Sequence, residues 1–244
     1  DLKASEKSGW TPVPRQFPSI TMAYSGVLEW DAPPPNQGSN ISLIPYLSGM
    51  IESPEKNITS NQLNPGADIK LNLTSSLNLD ITINPDFSQV ESDATKIDIN
   101  SPTAINYPEK RPFFNRGIDA MDYSLDVFYS RSINNPSFAG KILNQGKKSR
   151  LYFLTAFDEE SPYLVPTQYE SFSGVGGKSF SNIVRYQNFI NTNAQIGILS
   201  SNRSYEDGAY GNLFGVDALF KFSDVWKFEL EYFMNSNKEP IADW

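Results

Sequence analysis

The sequence predicts an all-β protein: an antiparallel up-and-down transmembrane β-barrel, incomplete in this chain (1–244), with an irregular luminal insert at 85–117. Three observations predict it. Apolar and polar residues alternate along several stretches, which is typical of strands with two different faces. The connections between these stretches are of two kinds, very short turns and long loops. Residues 85–117 do not alternate and contain four prolines, which cannot donate to a sheet ladder.

Composition limits the chemistry that the chain can perform. Its 244 residues include no Cys and no His, which excludes disulfides, Cys-based zinc sites, Cys nucleophiles and His-dependent triads. The net charge of −8 disfavours non-specific binding to nucleic acid. We therefore expect no cofactor and no nucleic-acid partner. No apolar run is long enough for a transmembrane helix, but strands of about 9–11 residues can cross a membrane.

The first third of the chain is predicted to hold a lead-in, two strands and a loop. Residues 1–19 are polar and proline-rich and form the lead-in. Residues 20–30 alternate and predict a first strand, and residues 41–51 predict a second. Pro45 favours an edge or a bulge for that second strand. The polar stretch 52–66 is predicted to be a loop.

The clearest hairpin has arms at 68–74 and 77–84. Ile69 and Leu71 alternate with Asp68 and Lys70 in the first arm, and the second arm alternates as strictly. Ser75-Ser76 is predicted to be the turn. After the insert, strands are predicted at 123–133, 137–143 and 149–157, followed by a long loop at 158–178.

The last part of the chain is predicted to hold two hairpins. Residues 180–190 and 194–200 form the first, and a long polar loop follows at 201–211. Residues 214–222 and 226–234 form the second around the two-residue turn Ser223-Asp224, with alternation along both arms. No stretch has the 3.6-residue pattern of a helix of normal length.

Alternation alone fits two architectures. In a soluble β-sandwich the apolar faces meet in a core, and in a membrane barrel they face lipid. The alternation of short turns with long loops is typical of membrane barrels. In the last hairpin, Phe214, Phe222, Trp226 and Tyr232 lie toward strand ends, as an interfacial aromatic girdle requires. These two features favour the barrel.

Two motifs resemble a known family. LNLDITINPDFSQVESD (77–93) and YPEKRPFFNRG (107–117) resemble a bacterial outer-membrane β-barrel family catalogued as a domain of unknown function. The lead-in from Trp10 to Arg15 is also similar. Members typically carry a signal peptide, then a module similar to family-nine carbohydrate-binding modules, then a longer barrel. Neither of the first two is visible here, so we expect this chain to be a fragment. Asn115-Arg116 stands where an acidic residue is frequent in the family.

The resemblance implies a location in the bacterial cell outer membrane and a role without established chemistry. The expected role is binding or passage of a surface ligand, with a carbohydrate as the ligand class that the sugar module implies. Membrane lipid and an envelope protein are the other expected partners. The two alternatives are a soluble β-sandwich binding module and an envelope glycoside hydrolase that uses Asp and Glu.

The candidate site lies within the insert, and it is expected to bind or gate rather than to catalyse. Its residues are Asp86, Gln89, Glu91, Glu109, Lys110, Arg111, Phe113 and Phe114. One interpretation is a luminal recognition or gating element. The other is a structural latch, in which the two Phe rings anchor the insert and Lys110 and Arg111 pair with Asp80 or Asp86. Arg111 is expected to form the main ion pair. The acidic clusters at 86–93 and 158–160 fit solvated loops better than an acid/base pair or a calcium site, and no metal ligand is predicted.

Overall fold

In the computed structural model the chain divides into two compact units, Asp1–Ser39 and Asn40–Trp244. The structure describes residues 31, 40–52, 60–85, 109–166, 171–175, 177–223 and 225–238. The fold below is that of the second unit. The predicted lead-in and the predicted strand at 20–30 lie outside the described residues.

The second unit is built on a nine-stranded antiparallel sheet with the order β1-β2-β3-β4-β5-β8-β9-β10-β11. Its strands are β1 Ile41–Glu52, β2 Ser60–Asn72, β3 Leu77–Ile83, β4 Pro136–Gln145, β5 Ser149–Asp158, β8 Ser179–Asn191, β9 Ala194–Tyr205, β10 Tyr210–Lys221 and β11 Lys227–Lys238. A separate two-stranded sheet pairs β6 Pro162–Pro166 with β7 Ser171–Val175. Within the described residues the large sheet is not closed, and β1 and β11 are its two edges.

The predicted antiparallel all-β fold is confirmed, and so are the three predicted hairpins, of which 180–200 is β8–β9. The predicted hairpin at 68–84 is β2–β3, and the predicted hairpin at 214–234 is β10–β11. Among the described residues the helical elements are short turns at Pro112–Asn115, Ile118–Met121 and Ser130–Ser132. No described helix is long and apolar enough to cross a membrane.

Four predictions of local structure were wrong. The predicted loop 52–66 contains the first half of β2. The predicted loop 201–211 contains the end of β9, the short connection 206–209 and the start of β10. Polar residues occupy both faces of these strand ends, so alternation gives no signal there. The predicted strand 123–133 is irregular backbone, and the predicted loop 158–178 contains β6 and β7.

The two ends of the large sheet differ in their connections. At one end, here the short-turn end, the connections are 73–76, 146–148, 192–193 and 222–226. At the other end they are 53–59, 84–135, 159–178 and 206–209. The predicted asymmetry therefore holds except for the short connection 206–209.

The two faces of the sheet have opposite character. Residues paired across neighbouring strands share a face, and successive residues alternate between faces. One face, here the charged face, carries these side chains: Asp68, Lys70, Asp80, Lys141, Arg150, Asp158, Arg185, Arg203, Asp217, Lys221, Lys227, Glu229 and Glu231. On the other, here the apolar face, Lys238 at the end of β11 is the one charged residue among the described side chains. Leu43 there is 63% exposed and Leu230 is 49% exposed.

Residues 109–135, here the covering segment, pack on the charged face. The segment contributes Phe114, Ala120, Met121 and Ile133 to a buried cluster. The sheet contributes Ala139, Leu143, Tyr152, Leu154, Ala156, Ile183 and Leu199. Gly117 has φ +84°, and a Cβ there would lie 2.6 Å from Leu143 Cδ2. Glycine at this position therefore allows both the left-handed turn and the close approach to the sheet.

Candidate functional site

Arg111 is the centre of a compact hydrogen-bonded knot at the start of the covering segment. Its Nη2 donates to Glu109 Oε2 at 2.8 Å, and its Nε donates to Glu109 Oε1 at 3.0 Å. Nη1 donates to the Ile133 carbonyl at 2.6 Å, and Nη2 also donates to the Ser130 carbonyl at 2.9 Å. The guanidinium lies 4.1 Å from the centre of the Phe114 ring. The knot thus ties the beginning of the covering segment to its end.

Glu109 is buried in this knot and stays ionised there. Burial favours its neutral form, but the hydrogen bonds and positive charge of Arg111 outweigh burial, and the Ser130 hydroxyl adds a further hydrogen bond. The pKa of Glu109 is therefore below its ordinary value of 4.5. A buried, bidentate Arg–carboxylate pair of this kind fixes geometry as well as charge.

Lys141 of β4 holds the middle of the covering segment. Its side chain is fully buried, and Nζ donates to the carbonyls of Phe113 and Arg116, the latter at 3.0 Å. Nζ also lies 3.8 Å from Asp80 of β3. Arg116 reaches the same carboxylate at 3.3 Å but remains 45% exposed. The buried side chain of Lys141 therefore connects the sheet to the helical turn Pro112–Asn115 and the residue that follows it.

Arg185 of β8 holds the next part of the segment. Its Nε donates to the Ala120 carbonyl at 3.1 Å, and its guanidinium lies 4.8 Å from the centre of the Tyr123 ring. The same guanidinium forms a bidentate ion pair with Asp217 of β10. Arg185 is only 2% exposed. Its buried positive charge is balanced by the carboxylate of Asp217, which lies two strands away in the sheet.

The segment also contacts the last strand. Tyr123 packs edge-on against Phe233 of β11, with ring centres 5.1 Å apart. The backbone N–H and the hydroxyl of Ser124 donate to Glu231. A Cβ on Gly215 would lie 2.5 Å from the Phe233 ring, so glycine leaves the room in which this ring sits. These contacts extend the attachment from β3 to β11.

Four neighbouring strands each supply one basic side chain to the covering segment. They are Lys141 on β4, Arg150 on β5, Arg185 on β8 and Arg203 on β9. Arg150 pairs with Asp119 at 2.8 Å, and Arg203 donates to the Ser132 hydroxyl at 3.1 Å. The charged face is thus a row of donors that binds carbonyls and polar groups of an irregular chain.

The structure brings some of the predicted site residues together and separates others. Glu109, Arg111 and Phe114 are joined in the knot, and Phe113 lies half-buried against Phe114 and Lys141. Lys110 is exposed. Asp86, Gln89 and Glu91 lie outside the described residues.

Of the two predicted partners of Arg111, Asp86 lies outside the described residues and Asp80 is bound by other residues. Asp80 receives Arg116 and Lys141, whereas Arg111 pairs with Glu109 two residues earlier. The predicted anchoring by the Phe pair is confirmed for Phe114, which is fully buried. Lys141, Arg185 and Arg203 were missed, although each is a lone basic residue at a charged-face position of a strand. That signal becomes visible only when the strands are placed side by side.

The acidic cluster at 158–160 is not a uniform solvated loop as predicted. Asp158 is fully buried and accepts the backbone N–H groups of Asn134 and Asn135 at 2.9 and 2.6 Å. Glu159 pairs with Lys178 at 2.9 Å, and Glu160 is exposed. Asp158 therefore ties the end of the covering segment to β5. Within the described ranges, no three acidic side chains group as metal ligands would.

Fold and site together define an antiparallel sheet protein whose charged face binds an irregular segment of its own chain. A family model described as a domain of unknown function (DUF5916) matches residues 39–150, which run from just before β1 to the start of β5. The matched part of the chain is thus similar to an uncharacterised family, in agreement with that part of the resemblance. No curated protein and no solved structure matches the chain.

Proposed function

We propose that this chain forms part of the wall of an outer-membrane β-barrel, with the apolar face toward lipid and the covering segment as a luminal plug. The supporting observation is the separation of charge. Of the described strand side chains that carry a charge, all but Lys238 lie on the charged face. A lipid-facing surface requires this separation, because charged groups at the bilayer midplane cost about 2–4 kcal/mol.

The same separation of charge argues against the soluble β-sandwich. A sandwich buries its apolar faces against each other and leaves its polar faces in water. Here the charged face is covered, while no described segment packs over the apolar face. Leu47, for example, is 67% exposed. Lipid is a solvent in which such a face is stable.

The position of the covering segment supports a plug. Irregular backbone cannot face hydrocarbon, because its N–H and C=O groups would lack partners. The segment satisfies those groups on the charged face through Lys141 and Arg185. In a barrel the charged face lines the lumen. The segment then narrows or closes the passage, and a ligand passes only when the contacts with β8 to β11 open.

The proposed ligand class is carbohydrate, and it rests on the resemblance to a family that carries sugar modules. No observation favours a hydrolase: the one buried carboxylate of the 158–160 cluster, Asp158, is occupied by backbone N–H groups. The proposed role is therefore binding or passage without chemistry. A conductance increase in planar bilayers when the plug is loosened, reduced by added oligosaccharides, would support passage.

A pair of tryptophan probes tests the orientation. In a variant with its four native Trp replaced by Phe, Phe228→Trp places a probe on the apolar face, where Phe228 is 50% exposed. Phe233→Trp places the matched probe on the charged face of the same strand, against Tyr123. In vesicles, brominated acyl chains should quench the first probe strongly and the second weakly. Equal quenching of both probes would contradict the proposal.

A further inference from the structure

A cavity of about 510 Å³ lies at the short-turn end of the sheet, away from the covering segment. It is bounded by the β4–β5 connection, the β8–β9 connection and the end of β10. Two backbone hydrogen bonds fix these parts together: Phe189 N–H donates to Lys148 O at 2.9 Å, and Lys221 N–H donates to Asn193 O at 2.7 Å. The register shift between Phe189 and Asn191 interrupts the strand ladder beside this cavity. Its size is that of a small-molecule site.

The charge of this cavity is opposite to that of the whole chain. Lys147, Lys148 and Lys221 line it, and none of its described lining residues is acidic. The chain as a whole carries −8. Asn193 and Gln195 add amide groups, and Asn191 Oδ1 accepts the Asn193 N–H at 2.7 Å, which leaves its amide N–H₂ group to donate. A wall of ammonium and amide donors without carboxylates is suited to an anion.

We propose that this cavity binds a phosphate group through Lys147, Lys148 and Lys221. Lysine is a compact point charge and a common phosphate ligand. The phosphate can come from a lipid headgroup or from a free phosphate compound. The cavity also has apolar lining at Phe189 and Leu219.

The experiment uses the full 244-residue chain in a non-ionic detergent. Binding of inorganic phosphate, dihexanoyl phosphatidylglycerol and dihexanoylglycerol, which lacks the phosphate, is measured by calorimetry. The double variant Lys148→Gln/Lys221→Gln removes two of the three charges. Lys238→Gln is the matched control, because it removes one exposed charge at the opposite end of β11. Acetylation of lysines followed by mass spectrometry gives a second readout that needs no variant.

The expected result is that phosphate and phosphatidylglycerol compete for one site, and that the double variant weakens both by roughly tenfold or more while the control does not. Both ligands should also protect Lys148 and Lys221 from acetylation in the unaltered chain. Tighter binding of the lipid identifies a headgroup as the source, and equal binding identifies a free phosphate. Binding of dihexanoylglycerol as strong as that of phosphatidylglycerol, no protection of the lysines, or an equal effect of Lys238→Gln would overturn the site. None of these outcomes depends on the membrane orientation proposed above.

Discussion

Arg185 on β8 reaches Asp217 on β10 across the intervening strand β9, and the crossing is possible because Gly197 has no side chain. A Cβ at Gly197 would lie 2.3 Å from Arg185 Nη1 and 2.7 Å from Asp217 Oδ1. Both charges are nearly fully buried, with side-chain exposures of 2% and 10%. The same guanidinium also donates to the Ala120 carbonyl. The absence of a side chain at Gly197 therefore allows the contacts by which β8 and β10, on either side of β9, are joined to the covering segment.

Gly197→Ala should displace the Arg185–Asp217 pair and destabilise the fold by about 1–3 kcal/mol, the usual cost of overpacking. Urea unfolding in detergent measures the change in free energy. Gly211→Ala on β10 is the matched control, since a Cβ there makes only an ordinary contact at 3.6 Å with Asn237. Equal stability of the two variants would show that the crossing over Gly197 is not required.

Arg111→Ala should release the covering segment. It leaves Glu109 without its bidentate partner and the Ser130 and Ile133 carbonyls without their donor, at a cost of about 3–5 kcal/mol. Limited proteolysis with mass spectrometry should show new cleavage within 109–135. Lys178→Ala breaks an exposed ion pair with Glu159 and is the control, which should leave the cleavage pattern within 109–135 unchanged. Unchanged cleavage in Arg111→Ala would show that the hydrogen bonds of Arg111 do not anchor the covering segment.

The variants Lys141→Met and Arg116→Ala compare how much each of the two basic partners of Asp80 contributes to stability. Lys141 is fully buried and binds two carbonyls of the segment, so its loss should cost about 3–5 kcal/mol. Arg116 is 45% exposed, so its loss should cost about 1 kcal/mol or less. Thermal unfolding of the two variants compares them directly. A larger effect from Arg116→Ala would reverse the assigned roles.

The contribution of Glu109 should depend on pH in a defined direction. Because its pKa in the folded state is below 4.5, ionised Glu109 stabilises the fold above that pH, and this stabilisation is lost as the pH falls through the folded-state pKa. The difference in unfolding free energy between the unaltered chain and Glu109→Gln should be constant from about pH 7 to 5 and shrink below about pH 4. A difference that grows on acidification would contradict the assigned charge state.

Strict alternation explains why much of the sheet was predictable from the sequence. β3, β10 and β11 place mostly apolar residues on one face and mostly polar residues on the other, with Leu219 and Phe233 among the exceptions, so a period of two is visible. The start of β2 and the end of β9 carry polar residues on both faces, as at Ser200, Ser201 and Asn202, and the pattern disappears there. The stretch from Tyr123 to Ile133 alternates weakly, but it is irregular because its side chains and backbone bind the sheet instead of pairing in it.

The residues that anchor the covering segment were less predictable from the sequence than the insert was. Of the predicted insert, the structure describes residue 85 and residues 109–117, and the latter form an irregular stretch in which Phe114 is buried. Arg111 was correctly expected to form an ion pair. Its partner depended on backbone geometry, because Glu109 is close enough in sequence to close the pair once the chain turns. Lys141, Arg185 and Arg203 are far apart in sequence, and only the strand order brings them together.

The orientation of the apolar face is the central claim, and Leu230→Arg compared with Glu229→Arg tests it most directly. The two positions are the third and fourth residues of β11, opposite Leu219 and Ala218 of β10, and they lie on opposite faces. Assembly is measured by heat-modifiable migration of the protein in bacterial outer-membrane fractions. Leu230→Arg should reduce assembly more than Glu229→Arg, since a charge facing lipid is costly, up to about 2–4 kcal/mol at the bilayer midplane, and a charge on the luminal face should be tolerated. Equal assembly of the two variants, or greater loss with Glu229→Arg, would contradict a lipid-facing apolar face.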